Sequence, residues 1–84
     1  MELPDFLTRE PMGDIRLTGH RIDLVHVVRR FKVGESAESI AEYFPTLPLP
    51  LVQSVVAFYL ENRGPVDAYI ADHDAEIERQ VAAA

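Results

Sequence analysis

Arg16, Arg21, Arg29, Arg30 and Lys32 form the one basic cluster of an otherwise acidic chain. Guanidinium and ammonium groups held side by side contact phosphate oxygens. The cluster is therefore a candidate nucleic-acid backbone surface, provided that the segment around Arg16 and Arg21 lies beside the one carrying Arg29, Arg30 and Lys32. Charges at this density also make ordinary solvated surfaces with internal ion pairs, and the sequence leaves these two readings level. Gln53 and Ser54, near the start of a later helix, carry donors and acceptors that could read base edges in a groove. The plainer account of them is two exposed polar residues on an amphipathic helix.

Other chemistry-bearing residues lack companions. Glu38 and Glu42 stand four apart, a spacing open to paired acid–base carboxylates, and Asp72 and Asp74 flank His73. No nucleophile or glycine-rich loop accompanies either set, so both read as solvated acidic faces, and an enzyme is not expected. With no cysteine in the chain, and no ligand spacing of a known metal site around His20, His26 or His73, neither a metal nor a cofactor is expected. Ser36, directly before a helical run, is a helix cap rather than a nucleophile. Tyr43, Phe44, Phe58 and Tyr59 read as core or dimer contacts, not as base-stacking platforms.

At 84 residues the chain makes one small domain. A monomer of this size buries only about 60–65% of its unfolded surface, so association with a second copy would add useful stability. The absence of cysteine suits a reducing cytoplasm. Acid and proline at Met1-Glu2-Leu3-Pro4-Asp5 do not resemble an export signal. The uncharged stretch from Tyr43 to Leu60 is long enough for a membrane span, but Pro45, Pro48 and Pro50 interrupt it, and no membrane partner is expected. The net charge of −6 is unevenly spread: residues 1–32 hold six basic and five acidic side chains, and residues 33–84 hold two basic and nine acidic. A nucleic-acid surface must therefore draw on the first half, while the acidic second half suits a basic protein partner.

The elements that would position these groups follow from periodicity and punctuation. Residues 1–14, with Pro4, Pro11 and Gly13, read as an N-terminal arm without sustained pattern. Ile15-Arg16-Leu17 and Arg21-Ile22 flank Thr18-Gly19-His20 and suggest a short hairpin. Asp23 caps a first helix from Leu24 to Val33, stopped by Gly34, and Ser36 caps a second from Ala37 to Phe44, stopped by Pro45. Pro50 stands at the start of a third, running to about Arg63. Gly64-Pro65 then breaks the chain before a fourth, acidic helix. The fold class expected is mainly α: a short N-terminal β-hairpin, a helix-turn-helix-type three-helix core over residues 15–64, and a C-terminal helix over 65–84.

Apolar residues of the third helix cover an arc of about 200°, wider than one small core needs. Val52, Val56, Tyr59 and Leu60 are accordingly the candidate dimer interface. Val66, Tyr69, Ile70, Ile77 and Val81 form a thin apolar stripe on the acidic fourth helix, a candidate surface for a protein partner.

The segments Ile15-Arg16-Leu17-Thr18-Gly19-His20-Arg21-Ile22, Phe31-Lys32-Val33-Gly34-Glu35-Ser36-Ala37-Glu38-Ser39-Ile40 and Phe44-Pro45-Thr46-Leu47 resemble, in order and spacing, the bacterial family known as domain of unknown function 433. Pro48-Leu49-Pro50 departs from that family's capping Thr with following acids, and Asp23 stands where it often has Pro or Thr. The resemblance implies an antitoxin-like protein with a winged or plain helix-turn-helix core, paired with a small PIN-like ribonuclease toxin. The expectation is a homodimer that binds operator DNA through the basic cluster with Gln53 and Ser54, and neutralises that toxin through the fourth helix. The competing class is an oligomeric interaction module that does not bind DNA.

Overall fold

A computed structural model describes residues 1–83. The chain order is β1 (Leu7–Arg9), β2 (Ile15–Leu17), α1 (Leu24–Lys32), α2 (Ala37–Tyr43), α3 (Leu49–Glu61) and α4 (Arg63–Ala83). The fold is mainly helical with an N-terminal antiparallel hairpin, as the patterning predicts.

The hairpin itself lies one element earlier than expected. β2 pairs backwards with β1, in the register Leu7↔Leu17, Thr8↔Arg16 and Arg9↔Ile15. Its turn closes through Glu10 N–H to Asp14 C=O at 2.7 Å and Gly13 N–H to Glu10 C=O at 2.9 Å, with Gly13 at φ 97°, a region that favours glycine. Ile15 and Leu17 enter the core while Arg16 between them faces outward, the period-two alternation of a strand with one face buried. Arg21-Ile22, expected as the second strand, contributes only a Leu17 N–H to Ile22 C=O bond at 3.0 Å, and the next residue, Asp23, makes an isolated bridge with Arg16. Leu7, inside the expected arm, is a core residue.

The caps act where the sequence places them. Asp23 accepts from Val25 N–H at 2.9 Å to start α1, and Ser36 accepts from Ser39 N–H at 3.1 Å to start α2. At the end of α1, Gly34 N–H bonds Phe31 C=O at 3.0 Å and Glu35 N–H bonds Arg30 C=O at 3.1 Å. This is a Schellman turn, with the glycine at φ 100°. The residues at which such turns often make an apolar contact here make an ion pair, Arg30 to Glu35, at 2.8 Å. α3 begins without a side-chain cap at Pro48 and has Pro50 in its first turn, where a missing N–H leaves nothing unsatisfied.

Leu24, Val25, Val27 and Val28 of α1, Ile40 of α2, and Val52, Val55, Phe58 and Tyr59 of α3 make the centre of the core, with Leu7, Ile15 and Leu17 beneath. α3 packs against α1, α2 and α4, which accounts for its wide apolar arc within a single chain. Gly64-Pro65 does not break the chain. Both lie in the first turn of α4, and Val66 N–H already bonds Asn62 C=O at 2.9 Å. The first half of α4 belongs to the core through Val66 and Ile70. At 21 residues α4 is about 30 Å long, most of the molecule's 39 Å extent, and the side chains from Glu76 to Ala82 are exposed. Among the described residues no helix is long and apolar enough to cross a membrane.

Candidate nucleic-acid interface

The last turn of α1 carries Arg29, Arg30 and Lys32, where positive charge is favoured by the carbonyl end of the helix dipole. Arg21 stands at the other end of that helix, in the turn before its cap. Arg21, Arg29 and Arg30 line one groove of about 650 Å³ together with His26, Tyr43 and Phe44. Tyr43 and Phe44 meet edge to face with centroids 4.8 Å apart, and the Arg30 guanidinium lies 3.1 Å above the Tyr43 ring. The guanidinium covers one face of Tyr43, and Phe44 is half-buried, so it is the cations that give this concavity its capacity to bind phosphate.

Most of these cations already have partners within the chain. Arg29 is ion-paired with Asp74 of α4, Lys32 with Asp67 of α4 at 3.2 Å, and Arg30 with Glu35 through both carboxylate oxygens at 2.8 and 3.0 Å. The Arg29–Asp74 and Lys32–Asp67 side chains are all close to half exposed, and such pairs contribute only about 0–1 kcal/mol. Arg16 and Arg21 make no ion pair among the described residues. Asp67 also accepts from the Tyr59 hydroxyl at 2.9 Å. That bond, with the one from Lys32, holds its carboxyl below the usual range, while burial and the Asp67 contact push the Tyr59 phenol up.

The groove unites Arg21, Arg29 and Arg30 but not the other expected contacts. Arg16 lies on β2 facing Thr8, and Lys32 lies toward α4. Gln53 and Ser54 are exposed on α3 and do not line the groove. Of the expected dimer residues, Val52 and Tyr59 are buried in their own core, which leaves half-buried Val56 and exposed Leu60 on the outside. Of the expected partner-binding stripe, Val66 and Ile70 are core residues and Tyr69 is half-buried, with its hydroxyl bonded to Ile15 and Asp23; Ile77 and Val81 are exposed.

A second constellation escaped the sequence. One carboxylate oxygen from each of Asp14 and Asp23 and one imidazole nitrogen of His73 lie within 4.8 Å of one another. These residues come from the hairpin turn, the α1 cap and α4, and only the docking of α4 brings them together. Tyr69, one turn before His73, donates to Asp23 at 3.2 Å and accepts from Ile15 N–H at 2.7 Å. Burial is the main cause that pushes its phenol up to about 12, with the Asp23 charge adding to it and the Ile15 bond opposing it.

A two-stranded hairpin followed by four helices, with a basic groove along the first, makes a small, mainly helical domain. The family described as Protein of unknown function (DUF433) matches residues 11–59, from the hairpin turn into the last turn of α3, and the chain belongs to that family. No curated protein and no solved structure matches the chain.

Proposed function

We propose that this chain is an antitoxin-like DNA-binding protein of a bacterial toxin–antitoxin pair, acting in the cytoplasm as a homodimer. In this reading it binds operator DNA through the Arg21–Arg29–Arg30 groove and neutralises a PIN-like ribonuclease toxin. The observation that carries the DNA half is the convergence of those three guanidiniums with Tyr43 and Phe44 around one concavity. The pairs that α4 makes with Arg29 and Lys32 are exposed and weak, so phosphate can displace them. The toxin-binding part of α4 is its outer half, where Ile77 and Val81 are exposed beside Glu76 and Glu78. An apolar pair flanked by acids suits a groove rimmed by basic side chains. The dimer contact falls on Val56 and Leu60.

The test is fluorescence anisotropy with a duplex from immediately upstream of the protein's own gene, compared with a scrambled duplex across a salt series. The proposal expects tighter binding to the upstream duplex and a steep loss of affinity with salt. Equal, negligible binding to both at low salt contradicts it and favours the second reading, an oligomeric interaction module without DNA binding. The observation in favour of that reading is that Arg29, Arg30 and Lys32 each have an internal carboxylate partner.

A further inference from the structure

We infer that Asp14, Asp23 and His73 form a binding site for a divalent transition-metal ion of the zinc or manganese type, which clips α4 to the hairpin and to the start of α1. The ligand atoms of the three side chains lie within 4.8 Å of one another, and drawing in by roughly 1 Å would bring them to the separation of ligands about 2.0–2.2 Å from one ion. Two carboxylate oxygens and one imidazole nitrogen are a donor set for borderline ions, and three protein ligands leave a position for water.

Two further observations point to a ligand. His73 Nδ1 is closed to solvent and is the one buried side-chain polar atom without a hydrogen-bond partner among the described residues. Its nearest carboxylate oxygen, on Asp74, is 3.8 Å away and already pairs with Arg29. The carboxylates of Asp14 and Asp23 also have no ion pair among the described residues, although Asp23 is buried, so a cation between them would meet no competing one. Bonds from Val25 N–H and the Tyr69 hydroxyl hold the Asp23 carboxylate in place, as outer-shell partners orient a metal ligand.

An entry path exists. Asp14 and His73 line a cavity of about 420 Å³ with Asp72 and Glu76, whose charge attracts cations, and with Arg9, which hydrogen-bonds Gly13 C=O at 3.3 Å. The site is separate from the basic groove and independent of the DNA and toxin proposals.

The experiment is isothermal titration of the full chain with Zn²⁺ and Mn²⁺, with Mg²⁺ as an oxygen-preferring comparison, alongside thermal melting and ¹⁵N imidazole spectra. One equivalent of Zn²⁺ or Mn²⁺ should bind, raise the melting temperature and shift the His73 nitrogens, with Mg²⁺ at least tenfold weaker. Asp14→Asn and His73→Gln, checked for native circular dichroism, should each weaken binding at least tenfold. His20→Gln with His26→Gln should leave it unchanged. Equal affinity in wild type and His73→Gln, or loss only in the His20 and His26 variants, overturns the assignment, as does the absence of any saturable binding.

Discussion

The Tyr69 hydroxyl on α4 donates to the Asp23 carboxylate that caps α1, and the same oxygen accepts the Ile15 backbone N–H of β2. One phenol thus ties three elements together. Tyr69→Phe leaves a backbone donor without its partner and should cost about 1–3 kcal/mol in urea unfolding, with the loss concentrated in hydrogen-exchange protection of α4 and β2. A variant as stable as wild type would show that the tie is weak.

The same phenol sets an alkaline limit. Because folding raises its pKa from 10.0 to about 12, its stabilising contribution is complete below pH 10 and is lost as pH rises from there toward 12. Absorbance at the tyrosinate band should show a component titrating near pH 12 that disappears in Tyr69→Phe, while the raised titration of Tyr59 remains. The stability decline of that variant in the same window should be shallower than that of wild type.

The two helix caps should differ in worth. Ser36 is exposed and Asp23 is buried and shared with Tyr69. Ser36→Ala should cost about 1 kcal/mol, and Asp23→Ala more, because it also strips the Tyr69 hydroxyl of its acceptor. Equal losses would mean that Asp23 acts as a simple cap.

The two halves of α4 should separate under substitution. Ile70→Asp buries a charge in the core and should unfold the domain, whereas Ile77→Asp with Val81→Asp should leave its melting unchanged and abolish capture of the ribonuclease-like partner. Removal of residues after Glu76, which spares Val66, Ile70 and Asp74, should act like the latter pair. Retained partner binding in either would move the toxin surface elsewhere. Likewise Leu60→Glu should shift sedimentation toward monomer with little loss of stability, while Val52→Ala should cost about 2 kcal/mol through a core cavity.

Local signals were legible and long-range ones were not. Asp23, Ser36 and Gly34 announce helix ends because capping is decided within a few residues, and α1 and α2 follow from them, while α3 follows from Pro50 at its start. β1 was hidden because Leu7-Thr8-Arg9 is too short for a period to show, and Ile15–Leu17 has an equally plausible partner in Arg21-Ile22. Gly64-Pro65 misled because proline, forbidden inside a helix, is acceptable in its first turn. The convergence of Arg21, Arg29 and Arg30 could be anticipated from a basic helix end near a turn. The Asp14–Asp23–His73 cluster could not, since it exists only once α4 has docked.

The groove's role is tested most directly by the salt dependence of binding to the upstream duplex in three proteins: wild type, Arg21→Ala with Arg29→Ala, and Asp74→Asn. If both arginines contact phosphate, the double variant should bind more weakly, with its log–log salt slope shallower by about 1.8, two contacts at about 0.9 each. Asp74→Asn, which frees Arg29 from its internal partner, should bind up to about fivefold more tightly at low salt. An unchanged affinity and slope in the double variant would contradict the assignment of this groove to DNA.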